Sequence, residues 1–195
     1  MPEDIKEAEK KFRDNFESVY LSHYQGMVRF AQEYVLYKED AENIVHDAFA
    51  EVWEMRKGYL HKMNYMLAFL FTAIKNKCID HLRHQIVVRE AEDRMQEEFR
   101  LSMQMKFDSL EIFDQDELSS EERIDELVTK AIQSLPEKCR EIFVKSKIEG
   151  MKQVQIAKEL NISIHTVEAQ MAIAYKKLKQ ELKDYLPLFL FLLNL

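Results

Sequence analysis

Residues 151–182 read MKQVQIAKELNISIHTVEAQMAIAYKKLKQEL, two helical patterns hinged on Asn161-Ile162. Val154, Ile156, Ala157 and Leu160 are expected to form the inward face of a short first helix. Asn161 suits the turn, because its short polar side chain tolerates positive φ better than most residues other than glycine. Ser163 follows as an N-cap, with a hydroxyl placed to accept from an otherwise unpaired first-turn N–H. In the second helix Val167, Met171, Ala174 and Leu178 recur every three or four residues and point to the core. His165, Thr166, Glu168, Ala169, Gln170, Ile173 and Lys176 are left on the outside. This is a helix-turn-helix whose second helix fits a major groove, where its first residues reach base edges. Lys176, Lys177 and Lys179 suit phosphates. All are Lys and none is Arg, so positioning is expected from them more than bidentate base reading.

On the N-terminal side of this stretch, Ile124, Leu127, Val128, Ala131 and Ile132 have helical spacing. Ser134-Leu135-Pro136-Glu137 then breaks the chain, with Ser134 or Leu135 as cap and Pro136 in the first turn of the next helix. That helix is expected over about 137–148 and is terminated at Gly150. On the C-terminal side, residues 186–195 (LPLFLFLLNL) are apolar almost throughout but shorter than the ~20 residues that span a bilayer. They are expected to pack on the second half or to meet a partner, not to insert stably in a membrane.

The first half carries a second clear pattern. Ala41, Ile44, Val45, Ala48, Phe49, Val52 and Trp53 form one stripe of a helix, opposite Glu42, Asn43, His46, Asp47, Glu51 and Glu54. Phe16, Val19, Tyr20, Tyr24, Met27, Val28 and Ala31 give a similar stripe before it, with Gly26 as the breaker. After it, Lys57-Gly58 to Asn64 reads as a loop and about 65–83 as a helix. Between Gln85 and Glu126 periodicity fades, although Met95, Phe99 and Met103 recur at i+4. This stretch exceeds the ~12 to 15 residues usual for a structureless loop inside a domain, so it is expected to be a tether between domains.

Composition agrees with an all-α chain of two small domains. Three Gly and three Pro stand against 47% hydrophobic residues, too little punctuation for hairpins and sandwiches. The net charge of −7 is unsuited to indiscriminate nucleic-acid binding, which needs a basic domain. Charge is segregated, however. Arg56, Lys57, Lys62, Lys75, Lys77, Arg83 and Arg89 face Asp80 alone, whereas Asp108, Glu111, Asp114, Asp116, Glu117, Glu121, Glu122, Asp125 and Glu126 face one Arg123.

Enzymatic and metal-binding readings find little support. The chain has no Gly-rich phosphate loop, nucleophile elbow or His-Glu-x-x-His pattern. Cys78, His81 and His84 form a single Cys-x-x-His without a second pair of matching spacing, so neither metal, cofactor nor small-molecule substrate is expected. Cys78 and Cys139 sit far apart within helical patterns, and Met1–Lys11 is charged without an apolar core; a reduced, cytoplasmic protein is expected.

AENIVHDAFAEVWE (41–54), FLFTAIKNKCIDHLR (69–83) and SLPEKCREIFVKSKIEGMKQVQIAKELNISIHTVEAQMAIAYKKLK (134–179) together resemble the extracytoplasmic-function (ECF) subfamily of sigma-70 RNA polymerase sigma factors, regions 2 and 4 in order. The resemblance implies region 2 over 1–85, a flexible acidic linker over 86–123, region 4 over 124–185 and an added apolar tail over 186–195. It implies that Glu42, Asn43, His46, Asp47 and Glu51 dock on a basic coiled coil of core RNA polymerase. It implies minus-ten contacts from Lys62, Asn64, Tyr65, Phe69, Asn76, Asp80 and Arg83, and minus-35 contacts from Ser163, His165, Thr166, Glu168, Ala169, Gln170, Ile173, Lys176 and Lys177. The acidic linker would occupy the polymerase's RNA path, and a membrane-bound anti-sigma factor would control the chain. Asn161 departs from the family's usual Gly and Gln155 from its common Glu. The second half alone also resembles the DNA-binding domain of response regulators, and a protein-interaction adaptor would leave the helix-turn-helix without a purpose. The two halves are expected to have separate hydrophobic interiors and, for want of a scaffold to space them, to bind promoter DNA weakly without polymerase.

Overall fold

The protein, analysed as a computed structural model, is described over residues 3–55, 63–91, 97–114 and 120–195, and is helical with no strand among them. Helix α1 (Glu3–Gln32) pairs with α2 (Lys38–Glu54). The α2 stripe expected in the core is buried from Ala41 to Val52, and Glu39 and Asp40 in the first turn complement the positive end of the helix dipole. Trp53 is 41% exposed, yet its ring lies 5.2 Å from Phe16 and 6.1 Å from Phe12, a lid over the end of the pair. Gly26, expected to break α1, lies inside it. A helical glycine costs about 1 kcal/mol relative to alanine. Here it is required by a close approach, since a Cβ at Gly26 would collide with the Asn194 carbonyl.

Helix α3 (Met63–Ala91) is longer at both ends than its sequence pattern. Met66, Leu67, Ala68 and every residue from Leu70 to Lys75 are buried, so neighbours cover this stretch on all sides. Two of those neighbours come from the segment expected to be a flexible tether between domains. Helix α4 (Glu97–Glu111) continues into a 3₁₀ turn at Ile112–Asp114, and Met103, Leu110 and Phe113 are buried. The Phe113 ring packs on Phe71 at 5.2 Å. The described part of 86–123 is therefore a helical strap anchored by apolar side chains at helical spacing. Asp116 and Glu117 of the acidic run, together with Met95 and the Lys57-Gly58 loop, lie outside the described residues, as do the side chains of Asp114, Glu121 and Glu122.

The second half begins with α5 (Ser120–Gln133), which packs along α3, and α6 (Glu137–Phe143). The cap of α6 is Pro136 itself, one step beyond the expected Ser134 or Leu135. Ser134 instead donates to the Ala131 carbonyl, while Arg140 donates to the Gln133 and Leu135 carbonyls and closes the break. A π-helical turn at Val144–Ile148 follows in place of a continued α-helix and ends at Gly150, whose φ of 69° is the left-handed value read from its position. Helices α7 (Gln153–Glu159) and α8 (Ile164–Glu181) complete the helix-turn-helix. Ile156 and Ala157 are buried as expected, but Val154 is 63% exposed.

The apolar tail forms α9 (Leu186–Asn194), with Leu188, Phe189, Phe191 and Leu192 buried. Phe191 meets Phe30 of α1 at 5.4 Å and Phe71 of α3 at 5.2 Å, both edge to face. At about 1.5–3 kcal/mol per buried side chain, these four contribute ~6–12 kcal/mol as an upper estimate. One continuous set of buried apolar residues runs from Phe12 through Phe71 and Ile124 to Leu192. The expectation of separate interiors is thus corrected: α5 and α9 lay apolar faces on α3 and fuse the two halves. No helix among the described residues is long and apolar enough to cross a membrane.

Candidate nucleic-acid and polymerase interfaces

The local chemistry of α8 fixes the presentation of its outer face. The Ser163 hydroxyl accepts from the Thr166 N–H at 3.0 Å and lies 2.8 Å from the Thr166 hydroxyl, which holds the first turn closed. Asn161 takes φ 51°, the left-handed turn that the family usually makes with Gly. At the start of α7 the Lys152 N–H donates to Gln155 Oε1 at 3.0 Å, so Gln155 supports the helix start with an amide where a carboxylate is common. Beneath α8, Val167, Met171, Ala174 and Leu178 are buried, and the Cys139 thiol donates to the Gln170 carbonyl at 3.3 Å. Lys145 Nζ reaches Glu159 Oε1 at 2.7 Å, a bond that raises the ammonium's pKa and ties the π turn to α7.

On this frame Ser163, His165, Thr166, Glu168, Ala169, Ile173, Lys176 and Lys177 are exposed and Gln170 is half-buried. His165 and Glu168 lie 3.8 Å apart. A capped helix N-terminus carrying hydroxyl, imidazole and amide groups, backed one to three turns later by Lys, can present donors to base edges and cations to phosphates.

A second surface lies on α2. Asn43, His46 and Asp47 are exposed, and Glu42 and Glu51 are half-buried. Lys77 of α3 reaches over to Glu51 at 2.7 Å and Asp47 at 4.0 Å, while Lys38 pairs with Glu42 at 3.0 Å. The His46 ring stacks on Tyr24 at 5.1 Å, and desolvation with the nearby Glu42 charge raises the Tyr24 pKa. The pairing by Lys77 was not legible in the sequence, because nothing in the separate patterns of α2 and α3 sets their rotation about one another.

The third set lies on α3. Asn76, Asp80 and Arg83 are exposed along one side, and Tyr65 and Phe69 are half-buried. Lys62 lies outside the described residues, and Asn64 stands in the first turn of α3 with its side chain likewise undescribed. Arg83 pairs with Asp80 at 3.2 Å, lies 3.9 Å from Glu111 of α4, and sits over the Phe107 ring at 5.5 Å. The linker thus touches a residue expected to face DNA. Cys78 is buried, its thiol pushed up to about 12 by desolvation. Among the described residues no group of His, Cys, Asp and Glu is arranged to hold a metal ion.

Two family models match the chain. Sigma-70 region 2 covers residues 19–86, which hold α2 and most of α3, and Sigma-70, region 4 covers residues 125–178, which hold the helix-turn-helix. No curated protein matches at a significant level. The matched regions account for each of the three surfaces and leave α4 and α9 outside both. Members of this family are non-enzymatic initiation factors that bind core RNA polymerase and recognise minus-ten and minus-35 promoter elements. The chain belongs to the sigma-70 family of RNA polymerase sigma factors and has the two-domain architecture typical of the ECF subfamily.

Proposed function

We propose that the three surfaces divide the work of promoter recognition. Residues 124–185 act as the minus-35 reader, with Ser163, His165, Thr166, Glu168, Ala169, Gln170 and Ile173 toward the bases and Lys176 and Lys177 toward phosphates. Residues 1–85 carry two tasks. Glu42, Asn43, His46, Asp47 and Glu51 dock on a basic surface of core polymerase, where opposite charge speeds encounter and fixes register. Lys62, Asn64, Tyr65, Phe69, Asn76, Asp80 and Arg83 open and hold the minus-ten element, which needs aromatic and amide groups for unpaired bases and cations for the strand.

Residues 86–123 connect these units, and their acidic run would lie in a channel built for RNA until the transcript displaces it. The chain works in a reducing cytoplasm, in keeping with its two free, buried cysteines, under the control of an anti-sigma protein. The observation that carries the reading is the exposed, hydroxyl-capped start of α8, seated on a buried face that includes Cys139 and Met171. Run-off transcription on genomic fragments with purified chain and core polymerase tests it. Gln170→Ala should weaken minus-35-dependent initiation while leaving polymerase binding intact, whereas Asp47→Lys should weaken polymerase binding and initiation with it. Equal initiation by both variants and the unaltered chain would refute the assignment.

A further inference from the structure

Minus-ten and minus-35 elements are separated by about 25 base pairs, or ~85 Å of straight duplex at 3.4 Å per pair. A compact chain of 195 residues has a radius of gyration of only ~16 Å and is roughly 40 Å across. With one interior shared by both halves, α3 and α8 cannot lie on both elements at once. Besides the packing of α5 along α3, the contacts that join the halves converge on α9, which begins at Leu186, beyond residues 125–178 of the matched region 4.

We propose that α9 is an intramolecular clasp, which holds region 4 on region 2 in the free chain and leaves its seat before both promoter elements are engaged. The proposal rests on the promoter-reading assignment above. Leu188, Phe191 and Leu192 fill the seam where Leu67, Ala68 and Phe71 of α3 face Ile124 and Val128 of α5 and Ile148 of the π turn. Without α9 this seam would open to water along one side.

The clasp is also held by its backbone, and from both halves. The last carbonyls of a helix have no partner within it and carry the negative end of its dipole. Here the Leu193 carbonyl accepts from Lys147 Nζ at 2.9 Å, on the region 4 side, and the Asn194 carbonyl accepts from Arg29 Nη2 at 3.3 Å, on the region 2 side. His23 of α1 places one ring nitrogen 3.2 Å from the Ile148 carbonyl and the other 3.4 Å from that of Leu195. Gly26 allows the close approach, and Gly150 does the same against Ser22, whose side chain a Cβ there would strike. The strap adds a second restraint, since Glu111 and Phe107 of α4 sit against Arg83, a cation assigned above to the minus-ten strand. In this arrangement protein groups stand where DNA has to come.

The test uses the full chain in two forms. In the free chain, spin labels at Glu39→Cys and Lys158→Cys, exposed positions on α2 and α7, report the separation of the halves. Phe191→Ser with Leu192→Ser should lengthen and broaden that distance, with helical content checked by circular dichroism. Gly26→Ser, which pushes on α9 from the region 2 side alone, should shift it in the same sense. In the second form Arg29→Cys and Asn194→Cys are oxidised onto a short dithiol linker, whose length replaces the reach of the Arg29 side chain and ties α9 to α1 through a disulfide at each end. Run-off transcription with core polymerase should fall about tenfold or more on oxidation, because simultaneous engagement is forbidden, and return on reduction. Equal transcription by the oxidised and reduced chains, or an unchanged distance in both seam variants, would overturn the clasp. Loss of run-off by the unaltered chain, indifferent to reductant, would strike instead at the promoter reading beneath it.

Discussion

The Phe191 ring lies 5.2 Å from that of Phe71 at an interplanar angle of 70°, an edge-to-face contact between residues 120 positions apart in the sequence. Such pairs add about 0.5–1.5 kcal/mol to the burial of the rings themselves. Phe191→Ala should therefore lower the free energy of unfolding by about 3–5 kcal/mol, read from the urea midpoint of the full chain. A loss under ~1 kcal/mol would mean that the contact is not maintained in solution.

His23 makes the same junction sensitive to pH. Burial pushes its pKa below the ordinary 6.5, against the pull of the Ile148 and Leu195 carbonyls, and the Lys147 ammonium pushes the same way. Arg29 stands one turn and a half further along α1, bonded to Asn194. With the folded pKa lowered, the unfolded chain binds the proton more readily. Stability from this group is thus fully present above about pH 6.5 and is lost as pH falls toward the lowered value. The urea midpoint should drop between about pH 7.5 and about pH 5.5, and His23→Gln should flatten part of that slope.

The start of α8 gives a local test. Ser163→Ala removes the hydroxyl that accepts from the Thr166 N–H and should cost about 1 kcal/mol, whereas Ser163→Gly should cost only a few tenths. At the turn before it, Asn161 holds φ 51°. Asn161→Ala should destabilise by ~1 kcal/mol and Asn161→Gly should not, because only the former forces a Cβ into the left-handed region. Thermal unfolding of the four variants checks both points.

Lys77 should separate stability from recognition. Its ion pairs with Glu51 and Asp47 are partly exposed, so Lys77→Ala should change stability by less than about 1 kcal/mol. It should nevertheless speed association with core polymerase by leaving both carboxylates unpaired toward the partner. Asp47→Lys should slow association, most at low salt, where charges are least screened. Stopped-flow binding at two ionic strengths distinguishes these outcomes.

What could be read ahead of the structure follows from where the information resides. The stripes of α2 and α8 were legible because each alternates a buried and a solvated face, so spacing alone orients the helix. Ser163, Asn161 and Gly150 were legible because capping and positive φ are demands on single residues. The seat of α9 was not, since a segment apolar on every side has no polar face to orient it and Phe191 does not name Phe30 and Phe71 as partners. Helix α4 was hidden by its exposed Leu101 and Met105, which blur the contrast between its faces. In the site, the sequence patterns outlined the α8 set as a surface, whereas the hold of Lys77 on Asp47 and of Glu111 on Arg83 depends on how distant helices rotate and cross.

The buried thiols have a consequence for signalling. A cysteine answers peroxide or disulfide stress through its thiolate and through access to the oxidant. Cys78 is sealed within α3 with its proton held up to about 12, and burial likewise raises the Cys139 pKa while its thiol is engaged by the Gln170 carbonyl. Folded, neither thiol is placed to sense an oxidant, and a cysteine-based stress signal would have to reach the transcription machinery through some other molecule's sulfur.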